Sequence, residues 1–76
     1  MKLIKQNEKA LMYQIPSGEF EVWIRLEHVR TKETLTPSDE DFGVWAWSCY
    51  TLKRANEIFD EITSGRRGVT PMVELF

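Results

Sequence analysis

At 76 residues the chain has room for one domain and one core, and a chain this short buries only about 60% of its unfolded surface, leaving a thin stability margin. A single cysteine excludes an internal disulfide, and one cysteine with one histidine excludes a structural zinc site built by this chain alone. Ten basic against twelve acidic residues give a net charge of −2, without the strongly basic footprint of a duplex-binding domain, while 42% hydrophobic and 29% charged residues argue against disorder.

The first nine residues, Met1 to Lys9, carry no apolar signal-peptide core before charges resume and read as a loose N-terminal stretch. No apolar run approaches the roughly 18 residues of a membrane-spanning helix, so no membrane is expected and a reducing cytoplasm is the expected setting. Leu11 to Ile15 reads as a strand with Leu11, Tyr13 and Ile15 on one face. Pro16-Ser17-Gly18 supplies turn chemistry. The next segment, Glu19 to Val29, alternates Phe20, Val22, Ile24 and Leu26 with Glu19, Glu21, Arg25 and Glu27, the period of a half-buried antiparallel strand, and completes a hairpin.

Residues 30–41 form a long polar connection, of a length that is often functional or mobile, into which the preceding strand is expected to run for a few residues as a projecting arm. Val44 to Tyr50 follows as an aromatic strand that is apolar on both faces, with Trp45 and Trp47 on one and Val44, Ala46 and Tyr50 on the other. Leu52, Ala55, Phe59 and Ile62 then fall at i, i+3, i+7 and i+10 with Ile58 beside them, one apolar helical stripe. Thr51 suits the N-cap and Ser64-Gly65 the C-terminus. Pro71 bars continuation, leaving Met72 to Phe76 as a short edge strand or docked tail. The predicted fold is α+β: an antiparallel meander of three or four strands with one α-helix packed on one face.

Candidate sites divide by chemistry. A sheet with one helix covers one face, so Trp45 and Trp47 either form the core under that helix or, with Trp23, make an aromatic patch for a protein partner or a second copy. Asp39-Glu40-Asp41 is the densest acidic run; it lacks the calcium-loop spacing with its central Gly and terminal Glu, and reads as a solvated loop or a secondary contact for a basic partner. Aromatic rings near Arg25, Arg30, Lys53 and Arg54 suit stacking of single-stranded nucleic acid. Glu19, Glu21, Glu27, Glu57, Asp60 and Glu61, interleaved among them, would repel a phosphate backbone.

His28 and Cys49 are the residues most suited to acid–base or nucleophilic work, but nothing in the spacing pairs them or supplies a third orienting group. No phosphate-binding Gly-rich loop and no G-x-S-x-G elbow occurs, so neither catalysis nor a cofactor is expected. Arg66-Arg67 follow the helix, where cations favour the helix dipole.

Pro37-Ser38-Asp39-Glu40-Asp41-Phe42-Gly43-Val44-Trp45-Ala46-Trp47, followed by Leu52, Ala55 and Phe59 and preceded by Glu19-Phe20-Glu21-Val22-Trp23, resembles a pattern in small proteins of phages and mobile elements. The likeness spans residues 19–62. Those proteins have no assigned activity, so no site residue is carried over. The resemblance implies a setting in which small single-domain chains act by binding a host or phage component. The expected function is therefore a non-enzymatic interaction module, with single-strand nucleic-acid binding as the alternative.

Overall fold

The segment Phe20–Ile24 places Phe20, Val22 and Ile24 toward one side and Trp23 toward the other, so a strand built from it needs cover on both faces. The computed structural model, which describes residues 1–68, puts this strand (β3) inside a four-stranded antiparallel sheet. Its companions are β1 (Lys2–Gln6), β2 (Ala10–Gln14) and β4 (Ala46–Cys49), and the order in the sheet is the order in the chain. One helix, α1 (Leu52–Thr63), packs on the sheet, as expected for an α+β chain. The proposed strand at Met72 to Phe76 lies outside the described residues; the fourth strand is instead β1, drawn from the stretch read as a loose start.

Register assigns the faces. Across β2 and β3, Ala10 opposes Ile24, Met12 opposes Val22 and Gln14 opposes Phe20, while Leu11 opposes Trp23 and Tyr13 opposes Glu21. Across β3 and β4, Val22 opposes Trp47 and Phe20 opposes Cys49 on the first face, and Trp23 opposes Ala46 on the second. The helix covers the first face, burying Ala55, Ile58, Phe59 and Ile62 against Ala10, Met12, Val22 and Cys49. Each fully buried large side chain stabilises by about 1.5–3 kcal/mol.

Local chemistry starts and stops the helix. The Thr51 hydroxyl accepts the Arg54 N–H at 3.2 Å, satisfying one of the orphan donors of the first turn. At the other end the Ser64 N–H donates to Asp60 at 2.9 Å, and Gly65, at φ 82°, donates to Ile62 at 3.1 Å. Asn7 ties this end to the sheet: its Oδ1 accepts from the Lys9 and Ala10 N–H groups at 2.8 and 2.9 Å, and its Nδ2 donates to Thr63 Oγ1 at 2.8 Å.

The second face is closed by the connection between β3 and β4. Leu11, Trp23, Trp45 and Ala46 are buried together there, with Tyr13, Leu26, Phe42 and Val44 at their margin. Beyond Ile24, Arg25 still donates to the Lys9 carbonyl at 2.8 Å. The chain then makes the arm read from the sequence: Glu27 bridges to Thr34, Leu35 donates to Leu26 at 2.7 Å, and the turn puts Lys32 at φ 64°. A single 3₁₀ turn, Asp39–Asp41, leads back onto the sheet.

One expectation about the faces is corrected. Trp45 and Trp47 lie on opposite sides of the sheet, Trp45 in the cluster under the loop and Trp47 beside the helix. The strand starts at Ala46, and Trp45 still belongs to a turn in which Gly43 takes φ 90° and both Val44 and Trp45 donate to the Asp41 carbonyl, at 3.0 and 3.1 Å. Strand alternation therefore does not relate the two rings.

Candidate interaction surface

The three tryptophans have different surroundings. Trp23 is 3% exposed and Trp45 7%, so neither offers its ring to a partner in this arrangement. Trp23 stacks at a tilt on Tyr13, ring centres 4.5 Å apart, and its indole N–H donates to Glu21 at 3.2 Å. The aromatic patch foreseen on the outer sheet face is thus occupied by the chain's own loop. Trp47 is half-buried at the edge of the helix-covered face, with the Arg67 guanidinium 4.8 Å from its ring centre. That arginine pairs with Glu61 at 2.6 Å, whose other oxygen lies 3.9 Å from Arg54. The Arg67 hydrogen bond holds the Glu61 carboxyl below its ordinary range.

The acidic run splits into two kinds of carboxylate. Asp39 and Glu40 are exposed. Asp41 turns back to accept the Ser38 N–H at 2.8 Å and its hydroxyl at 3.0 Å, closing the 3₁₀ turn. The Ser38 backbone donor lowers the Asp41 pKa, outweighing burial; the Ser38 hydroxyl and Trp45 lower it further. Among the described residues no group of three or more His, Cys, Asp or Glu is gathered to hold a metal ion.

The four cations of the nucleic-acid alternative are not brought together. Arg25 donates to the Asn7 carbonyl at 3.0 Å and to Gln6 Oε1, beside the end of the helix. Lys53 and Arg54 sit in the first helical turn, about 15 Å away along the axis at 1.5 Å per residue. Arg54 is engaged with Glu57 at 3.1 Å, and Arg30 lies at the arm tip.

His28 and Cys49 are likewise apart. Cys49 is buried in the core under the helix, where burial pushes its thiol pKa up against the opposing pull of Arg54 and Arg67. His28 is exposed at the base of the arm turn, its Nδ1 accepting the Arg30 and Thr31 N–H groups at 3.2 and 3.4 Å. Shallow depressions occur beside Met1, Gln14 and Pro16, beside Gln6 and Arg25, and beside Lys9 and Thr63; neither His28 nor Cys49 lines these three.

Large apolar side chains are displayed elsewhere. Tyr50 is 85% and Leu52 47% exposed, flanking the helix cap Thr51 at the corner between β4 and α1. Sequence reasoning placed Tyr50 on a sheet face and Leu52 in the helix core stripe. The available signal was position: Tyr50 follows the last paired residue, Cys49, and Leu52 opens the helix before its stripe has reached the sheet. Val29 at the arm and Leu3 and Ile4 on β1 are also exposed. Among the described residues no helix is long and apolar enough to cross a membrane. Comparison of the chain with protein-family models, with curated proteins and with solved structures found no match.

Proposed function

We propose that the chain is a small non-enzymatic interaction module that binds a protein partner through the β4–α1 corner, with Trp47, Tyr50 and Leu52 as contacts and Asp39 and Glu40 as a secondary electrostatic contact. The observation that carries this reading is the display of Tyr50 and Leu52 on either side of a capped helix start. The exposed parts of these side chains add little to the monomer, and tyrosine is enriched where proteins meet. Self-association through Trp23 and Trp45 loses its support, because the loop already covers them. The dispersed cations give the single-strand nucleic-acid reading less to stand on. The reading places the chain in a reducing cytoplasm, where Cys49 stays a thiol. On the resemblance of residues 19–62 it also places it with a phage or mobile element.

The test is a paired capture experiment with the purified chain and a Tyr50→Ala/Leu52→Ala variant. Both side chains are exposed, so the variant is expected to melt within about 1 kcal/mol of the parent. A protein retained by the parent and weakened at least about tenfold by the variant supports the corner as the contact. Equal retention by both chains would refute it.

A further inference from the structure

The two edges of the sheet are finished differently. On β4, Trp45 accepts the Ile24 N–H at 2.9 Å, so by antiparallel alternation Ala46 and Ser48 turn their backbone groups away from β3. The loop already uses the first of these: Gly43 donates to the Ala46 carbonyl at 2.7 Å, and Phe42 bridges to Ala46. Among the described residues β1 is the outermost strand at the other side, with β2 as its one neighbour in the sheet.

The phase of β1 follows from its ladder. Asn7 donates to the Ala10 carbonyl at 3.0 Å, so Asn7, Lys5 and Lys2 direct backbone groups at β2, while Leu3 and Gln6 direct theirs outward. Ile4 is an extra residue in the register, a bulge between the pairs Leu3–Tyr13 and Lys5–Met12. Leu3 lies on the loop-covered face opposite Tyr13 and is 42% exposed. Lys2, opposite Gln14, lies on the helix face, and Ile4 shares it by the two-residue period at 37% exposure. Lys5 also faces the helix, its Nζ 4.5 Å from the centre of the Phe59 ring.

We infer that β1 pairs antiparallel with β1 of a second copy, with Leu3 on the two-fold axis, joining two four-stranded sheets into one. In this register the outward N–H and C=O of Leu3 exchange hydrogen bonds with the same groups of the other copy. Lys2 stands opposite Ile4, and both lie on the helix face. The row Tyr13–Leu3 continues across the axis into Leu3–Tyr13, an apolar cross-strand row. Neighbouring registers are worse. Moving the axis between Leu3 and Ile4 sets Lys2 against Lys5 of the other copy, and moving it to Ile4 pairs Leu3 with a Lys5 that points to the wrong face. Of these three registers the bulge and the two lysines favour the one centred on Leu3, with the pairing confined to residues 2–4. The arrangement is isologous and closes at two copies. It is separate from the β4–α1 corner and stands or falls without it.

Sedimentation equilibrium of the full chain tests the inference, with Leu3→Lys and Leu3→Pro as variants. The Leu3 amide points away from β2, so proline there leaves the β1–β2 ladder intact. Lysine at that position would face itself across the axis. Because a short edge contact is small, the mass is expected to rise from monomer to dimer between about 10 µM and about 1 mM. Both variants should keep the parent's far-ultraviolet dichroism and raise the dissociation constant at least tenfold. The Leu3 amide should also become protected from hydrogen exchange as concentration rises. A monomeric mass throughout that range overturns the inference, as does a dimer that both variants leave unchanged or in which the Leu3 amide stays exposed. Equal partner retention by the parent and the Tyr50→Ala/Leu52→Ala variant, with dimerisation intact, would sink the partner reading alone.

Discussion

At the scale of single residues, Asp41 shows how a run of like charges conceals unlike jobs. Asp39 and Glu40 face water, whereas Asp41 accepts two hydrogen bonds from Ser38 and anchors the turn that returns the chain to the sheet. Its carboxyl titrates below its ordinary value of 3.8, chiefly because the Ser38 N–H favours the charged form. A folded-state pKa depressed in this way stabilises the native loop fully above the ordinary value and is lost as pH falls through the depressed one. Asp41→Asn should therefore flatten the acid limb of loop opening below about pH 4, followed by the emission of the nearby Trp45. Glu61 is also held below its ordinary value, chiefly by its Arg67 hydrogen bond, but it is unchanged in both proteins, so the difference isolates Asp41. Superimposable acid limbs would show that the Ser38 contacts do not hold the loop.

At the scale of elements, the connection between β3 and β4 does the work of a second helix. Trp45→Ala should remove the centre of that cover and cost about 3–5 kcal/mol, a large share of the stability of a domain this size. Trp47→Ala, at the half-buried margin beside Arg67, should cost less by about 2 kcal/mol in urea melts. The reverse ranking would mean that the loop is an ornament on a one-sided sheet. The cover was not legible in the sequence because residues 30–41 are polar; its apolar members, Leu26, Phe42, Val44 and Trp45, are divided between its two ends. β2, β3 and α1 were legible, the first two by alternation and the helix by its stripe and caps. β1 was not: Lys2-Leu3-Ile4-Lys5-Gln6 loses its two-residue period at the bulged Ile4, and an edge strand keeps both faces partly wet. The exposed corner was hidden for a related reason, since Tyr50 and Leu52 continue the strand and helix patterns that end just short of them.

At the scale of the whole molecule, the sheet is a layer between two unequal covers. A helix held by its caps and by Asn7 lies on one side, and an irregular segment held by one capped turn and a few carbonyl contacts lies on the other. Strand order in the sheet repeats strand order in the chain, and each strand pairs with its sequence neighbour. That arrangement has a kinetic corollary. The β1–β2 and β2–β3 hairpins close short loops and the helix follows its last strand directly, so the β3–β4 pairing alone among these has a long segment, residues 25–45, to close. Refolding from urea is expected in one exponential phase of about milliseconds or less, with the transition state built on the β2–β3 hairpin. A stopped-flow trace dominated by a phase of seconds would instead put closure of the long connection in the rate-limiting step.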